Sequence, residues 1–127
     1  MKGYRDLVVW QKAMELVTDV YRVTSDFPKH ELYGLTGQIR RAAVSVPGNL
    51  DEGHGRTSRR EFHRFISQAR GSLVEVETQL EIARNLSSLT TPAASELLAK
   101  AGRVGRMVNG LGAWLESREG SKPTSDS

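Results

Sequence analysis

Residues 58–86, SRREFHRFISQARGSLVEVETQLEIARNL, decide the fold. Phe62, Phe65, Ile66, Ala69, Leu73, Val76, Leu80 and Ala83 recur there at steps of three and four. That spacing gathers them on one stripe of a helix, whereas a strand would scatter them over both faces. Thr57 or Ser58 caps this helix, and Glu61 lies three residues after Ser58, the spacing of a capping box. At 1.5 Å per residue, a helix from Ser58 to Leu86 is about 43 Å long.

The same periodicity continues outward in both directions. Towards the C terminus, Thr90-Thr91-Pro92 punctuates, with proline at a first-turn position. Leu97, Ala101, Val104, Val108, Leu111 and Leu115 then form the stripe of a last helix reaching about Ser117. Its glycines, Gly102, Gly105, Gly110 and Gly112, each cost up to about 1 kcal/mol relative to alanine. Either a neighbouring backbone approaches them closely, or the helix is loosely ordered. Towards the N terminus, a helix from about Leu32 to Gly55 carries Leu35, Ile39, Ala42, Val46, Leu50 and Gly53. Pro47 interrupts it, at a cost of about 3 kcal/mol, yet the stripe keeps its phase, which predicts a kink rather than a break. A first helix from about Leu7 to Thr24, with Asp6 as its N-cap, carries Val9, Ala13, Leu16, Val20 and Val23. Phe27-Pro28 ends it.

Four amphipathic helices with short connections predict an all-α, antiparallel up-down-up-down four-helix bundle over residues 1–118. The polar segment 119–127 reads as a disordered tail. The 127 residues are 38% hydrophobic, enough for a core without staples. There is no cysteine, which excludes disulfides and thiolate metal sites. No apolar run reaches the roughly 18 residues of a membrane span, and MKGYRDLVVW lacks the features of a signal peptide. A cytoplasmic protein is expected. The formal net charge of +3 permits a polyanionic partner without demanding one.

Two polar rows flank the predicted core. Gln38, Arg41, Ser45, Asn49, Glu52 and Arg56 share a narrow arc of the second helix, and Glu61, Gln68, Ser72, Glu75 and Gln79 share one on the third. Such rows are either solvated flanks or a hydrogen-bonded seam, between these two helices or between subunits. The residues assigned to the seam are Gln38, Arg41, Ser45, Asn49, Glu52, Ser72, Glu75 and Gln79.

The second cluster is basic. His54, Arg56, Arg59, Arg60, His63 and Arg64 gather at the junction of the second and third helices, with Arg40 and Arg41 further along the second. A helix N-terminus adds free N–H groups and a positive dipole end, which favour anions. Arg40, Arg41, Arg56, Arg59, Arg60 and Arg64 are therefore the candidate phosphate contacts. The competing reading is a solvated surface partly neutralised by Glu52 and Glu61. No row of aromatics accompanies the arginines, so base stacking is not indicated.

Catalysis finds no support. Gly48-Asn-Leu-Asp-Glu-Gly53 imitates the start of a phosphate-binding loop, but His54 stands where lysine belongs and no strand precedes it. The Glu-x-x-His pairs of di-iron bundles are absent, and the three histidines lack the i, i+4 spacing of a helical zinc site. Glu52 and Glu75 read as structural partners rather than an acid–base pair. No catalytic residue, metal or cofactor is expected. Trp10 and Trp114 read as core or interface filling near the bundle ends. Val44, Val74 and Ile82 point away from the core and mark an oligomer surface if they align.

YGLTGQIRRAAVSVPGNLDEGHGR (33–56) followed by EFHRFISQARGSLVEVETQLEIA (61–83) closely resembles the four-helix-bundle proteins of the 23S ribosomal RNA intervening-sequence family. The opening YRDLVVWQKAMELVTDVYRVTSDFPKHE (4–31) resembles the same family's first helix, and the fourth helix matches loosely. The pattern is carried by Leu35, Gln38, Arg41, Ala42, Ser45, Asn49, Glu52, Gly53, Arg56, Ala69, Gly71, Ser72 and Glu75, which include much of the two polar rows. The resemblance implies an antiparallel four-helix bundle that in some members assembles as a ring-shaped homopentamer. It implies a bacterial protein encoded within insertions in 23S ribosomal RNA genes, or by free-standing genes of unknown role. A related branch serves diversity-generating retroelements as a basic pentameric barrel beside a reverse transcriptase and nucleic acid. Here the positive surplus is modest, and Asp51 adds an acid to the second-helix motif. The expected function is a non-enzymatic homo-oligomer that binds structured RNA or DNA through phosphate contacts. The alternative is a protein–protein adaptor or scaffold. No membrane role is expected.

Overall fold

The protein is described here by a computed structural model covering residues 4–55 and 58–121. It contains four helices: α1 (Tyr4–Thr24), α2 (Leu35–His54), α3 (Arg59–Asn85) and α4 (Thr91–Ser121). A short 3-10 turn, Lys29–Glu31, precedes α2. Among the described residues there is no strand, and no helix is long and apolar enough to cross a membrane.

Every stripe residue of α2 is buried on both sides of Pro47, and so is the proline itself. The helix runs through the proline unbroken. Val46 and Leu50 lie in the same core, and burying each contributes about 1.5–3 kcal/mol. Together they offset the local cost of about 3 kcal/mol. Val9, Ala13, Leu16 and Val20 of α1, Phe65 to Ala83 along the α3 stripe, and Leu97 to Leu115 along the α4 stripe complete that core.

Cross-helix contacts fix the directions. From the start of α2 to its end, Gln38 meets Gln79, Ser45 meets Ser72, and Gly53 meets Phe62. Moving forward along α2 is therefore moving backward along α3. His63 meets Glu116 and Arg70 meets Asn109, which makes α3 and α4 antiparallel. Asp6 meets His54 and Arg40 meets Thr24, which does the same for α1 and α2. Lys100 closes the ring of helices onto Asp19.

The helix ends follow local chemistry. The Ser58 hydroxyl accepts from the Glu61 N–H at 3.0 Å, so α3 begins where the capping spacing places it. At the other end of α3, Ser87 adopts φ 61°. Its N–H donates to the Arg84 carbonyl, and the Ser88 N–H to that of Ala83, the bond pair of a Schellman stop. The glycines of α4 divide. A Cβ on Gly112 would sit 3.4 Å from Ile66, a close approach to α3, whereas one on Gly110 would meet nothing within 4 Å. Two expectations need correction. Asp6 is not an N-cap: it lies within the first turn of α1 and is buried. Residues 119–121 belong to α4, and the rest of the expected tail lies outside the described residues.

Candidate functional site

Antiparallel register brings the two polar rows face to face. The Ser72 hydroxyl donates to the Ser45 hydroxyl at 2.8 Å, and the Asn49 amide donates to the same hydroxyl at 2.9 Å and to the Ser45 carbonyl. One turn of helix or more away, the Gln79 amide reaches Gln38 Oε1 at 3.4 Å. Between these levels lies a cleft of about 240 Å³ with Ala42 among its lining residues and Arg41 and Glu75 contributed by opposite helices. Arg41 and Glu75 are both exposed, and no ion pair joins them. Gln79 is only 9% exposed, yet its Oε1 finds no donor among the described residues. The seam is thus satisfied at the serines and incomplete at the glutamine. Glu52 is exposed on the last turns of α2 and does not line the cleft. Glu52 and Glu75 therefore sit well apart along the bundle.

The basic residues divide into three groups. Arg40 is structural: its Nε donates to the Thr24 hydroxyl at 2.8 Å, and its guanidinium lies 4.6 Å from the Tyr21 ring centre. Arg41 belongs to the cleft. Arg59, Arg60, His63 and Arg64 form the opening turns of α3. There Arg64 reaches Glu61 at 2.9 Å while its side chain stays 58% exposed, and Arg60 is exposed. His63 is committed to Glu116 at 2.9 Å. Arg56 lies outside the described residues.

The same end of the bundle holds a pair that the sequence reading missed. Asp6 Oδ2 and His54 Nε2 are 3.2 Å apart, with side chains 9% and 11% exposed. Phe62 stacks obliquely on the imidazole, ring centres 5.0 Å apart. Burial raises the Asp6 pKa above its ordinary 3.8, the charge of His54 working in the opposite sense. Asp6 Oδ1 and Trp10 Nε1 have no hydrogen-bond partner among the described residues. The signal was available, since Asp6 is in phase with Val9, Ala13 and Leu16, and His54 follows Leu50 by four. Antiparallel packing then carries the start of α1 to the end of α2. Among the described residues no three His, Cys, Asp or Glu side chains group to hold a metal ion.

The family model described as 23S rRNA-intervening sequence protein matches residues 5–110. The chain belongs to this family. The match spans α1, α2, α3 and most of α4, so it contains both the cleft and the arginine-bearing end. A crystal structure of a protein of unknown function from the S23 ribosomal protein family of Bacteroides thetaiotaomicron has the same fold. The TM-score is 0.80 at 18% identity, over 86% of this chain and 98% of that one. No curated protein matches the chain.

Proposed function

We propose that this member of the 23S rRNA-intervening sequence family is a non-enzymatic, homo-oligomeric, cytoplasmic module that grips structured nucleic acid by its phosphates. The observation that carries the reading is the exposure of Arg60 and Arg64 on the opening turns of α3. Side-chain cations there add to the positive end of a 27-residue helix. Arg59 stands beside them, and Arg56 precedes them in the chain. The family's description names a 23S rRNA-intervening sequence, so a folded RNA is the first probe of this reading. Arg40 drops out of the contact set because Thr24 and Tyr21 tie it to the end of α1, away from the start of α3, whereas Arg64, paired with Glu61 and over the Phe65 ring, stays exposed there.

A second reading, a protein–protein adaptor, draws on the exposure of Val44 on α2 and Val74 on α3. Binding of a folded RNA by the Arg60→Gln/Arg64→Gln double variant separates the two. The phosphate reading expects a loss of about tenfold or more from two lost charges. Unchanged affinity, or a wild-type chain that ignores RNA, favours the adaptor.

A further inference from the structure

The cleft between α2 and α3 brings together polar groups that the phosphate contacts do not use. Arg41 and Glu75 come from opposite helices and cancel in charge, without an ion pair between them. An anionic ligand drawn to Arg41 is repelled by Glu75, and a cationic one is treated the opposite way. A neutral group with a donor edge and an acceptor edge satisfies both. The cleft measures about 240 Å³ and opens to solvent, which admits a planar base while the rest of a nucleotide stays outside.

The two helices sort those edges. Gln79 follows Glu75 by one turn, so the α3 wall carries the exposed Glu75 carboxylate, an acceptor, with the buried, unpartnered Gln79 Oε1 behind it. A buried acceptor without a donor is unfavourable, and a ligand N–H supplies the missing donor when the Gln79 side chain turns towards the cleft. The α2 wall offers the Arg41 guanidinium, a fork of donors. Guanine has adjacent donors, N1–H and the 2-amino group, on its Watson–Crick edge. It has the acceptors O6 and N7 on the neighbouring edge, the pair that arginine reads bidentately. Adenine would turn its N1 lone pair towards the Glu75 carboxylate, and cytosine its N3.

We propose that the Gln38–Arg41–Glu75–Gln79 cleft holds a single unpaired guanine base, read by its edges. The inference extends the nucleic-acid reading above: arginines at the end of the bundle hold phosphates without regard to sequence, and the cleft selects an extruded base. Single-stranded RNA bases are recognised in this way on their Watson–Crick and Hoogsteen edges. Ala42 lines the cleft in place of an aromatic platform, so selectivity comes from hydrogen bonds.

The test uses the full chain and free nucleotides. Guanosine 5′-monophosphate should shift the side-chain amide resonances of Gln38 and Gln79, saturably, while adenosine 5′-monophosphate should not. Inosine 5′-monophosphate, which lacks the 2-amino group, should bind about tenfold more weakly, as should the guanine nucleotide to Glu75→Gln. Equal shifts with the guanine and adenine nucleotides, or none with either, overturn the proposal. RNA binding that is indifferent to guanine sinks the cleft proposal and leaves the phosphate reading standing. Guanine selectivity without RNA binding does the reverse.

Discussion

Asp6 and His54 join the first turn of α1 to the last turn of α2 through a buried contact of 3.2 Å. Burial raises the Asp6 pKa above 3.8, so the folded state favours the protonated carboxyl more than the unfolded chain does. The stability Asp6 contributes is full below pH 3.8 and is lost as pH rises through the folded value. Asp6→Asn removes that loss. Urea denaturation on a pH series should show the variant gaining on the wild type as pH climbs from 3.8, then levelling off. A difference that moves the other way would mean that attraction to His54 outweighs desolvation.

Gly53 leaves room for the ring that covers His54. A Cβ there would lie 2.6 Å from Phe62 Cδ1 and 3.3 Å from Phe65 Cβ. Alanine gains up to about 1 kcal/mol of helix propensity, but displacing a packed ring costs about 1–3 kcal/mol. Gly53→Ala should therefore destabilise by about 1 kcal/mol in equilibrium denaturation. A stabilised variant would mean that Phe62 swings aside freely.

Ser87 stops α3 in the left-handed region at φ 61°, where glycine is at home. A non-glycine residue there costs about 1–2 kcal/mol, and glycine's greater freedom when unfolded takes back about 0.5–1 kcal/mol. Ser87→Gly should stabilise by about 0.5–1 kcal/mol, read as a higher denaturation midpoint with an unchanged m-value. A loss of stability would show that the serine side chain contributes more than its backbone strain costs.

Much of this was legible in the sequence. The stripes of all four helices fall on the core, because apolar periodicity responds directly to burial, and the Ser58 cap is set by residues three apart. The Asp6–His54 pair was not read, because it joins residues far apart in sequence and a lone acid before an apolar stripe looks like a cap. Arg40 and Arg41 are neighbours in sequence and carry the same charge. Successive residues on a helix point about 100° apart, and this sends Arg40 to α1 and Arg41 to the cleft. Arg64 meets Glu61 through helical spacing alone, whereas His63 meets Glu116 only through the packing of α4, which no local pattern shows.

Arg40 and Arg60 should consequently behave in opposite ways. Arg40→Ala loses the bond to Thr24 and the contact with Tyr21. It should cost about 1–2 kcal/mol of stability and leave RNA affinity unchanged. Arg60→Glu should leave the denaturation midpoint within about 0.5 kcal/mol and weaken RNA binding. Thermal melts and binding isotherms on the two variants check both halves. An RNA defect in Arg40→Ala at full stability would return that residue to the contact set.

The most direct measurement is the affinity of the full chain for one folded RNA as salt is raised from about 50 to 200 mM. With four phosphates neutralised per protomer, the log–log slope is about −3.6 and affinity falls on the order of a hundredfold. A slope of that size, reduced by about two in Arg60→Gln/Arg64→Gln, is the predicted result. Affinity that stays flat across the range would contradict phosphate gripping outright.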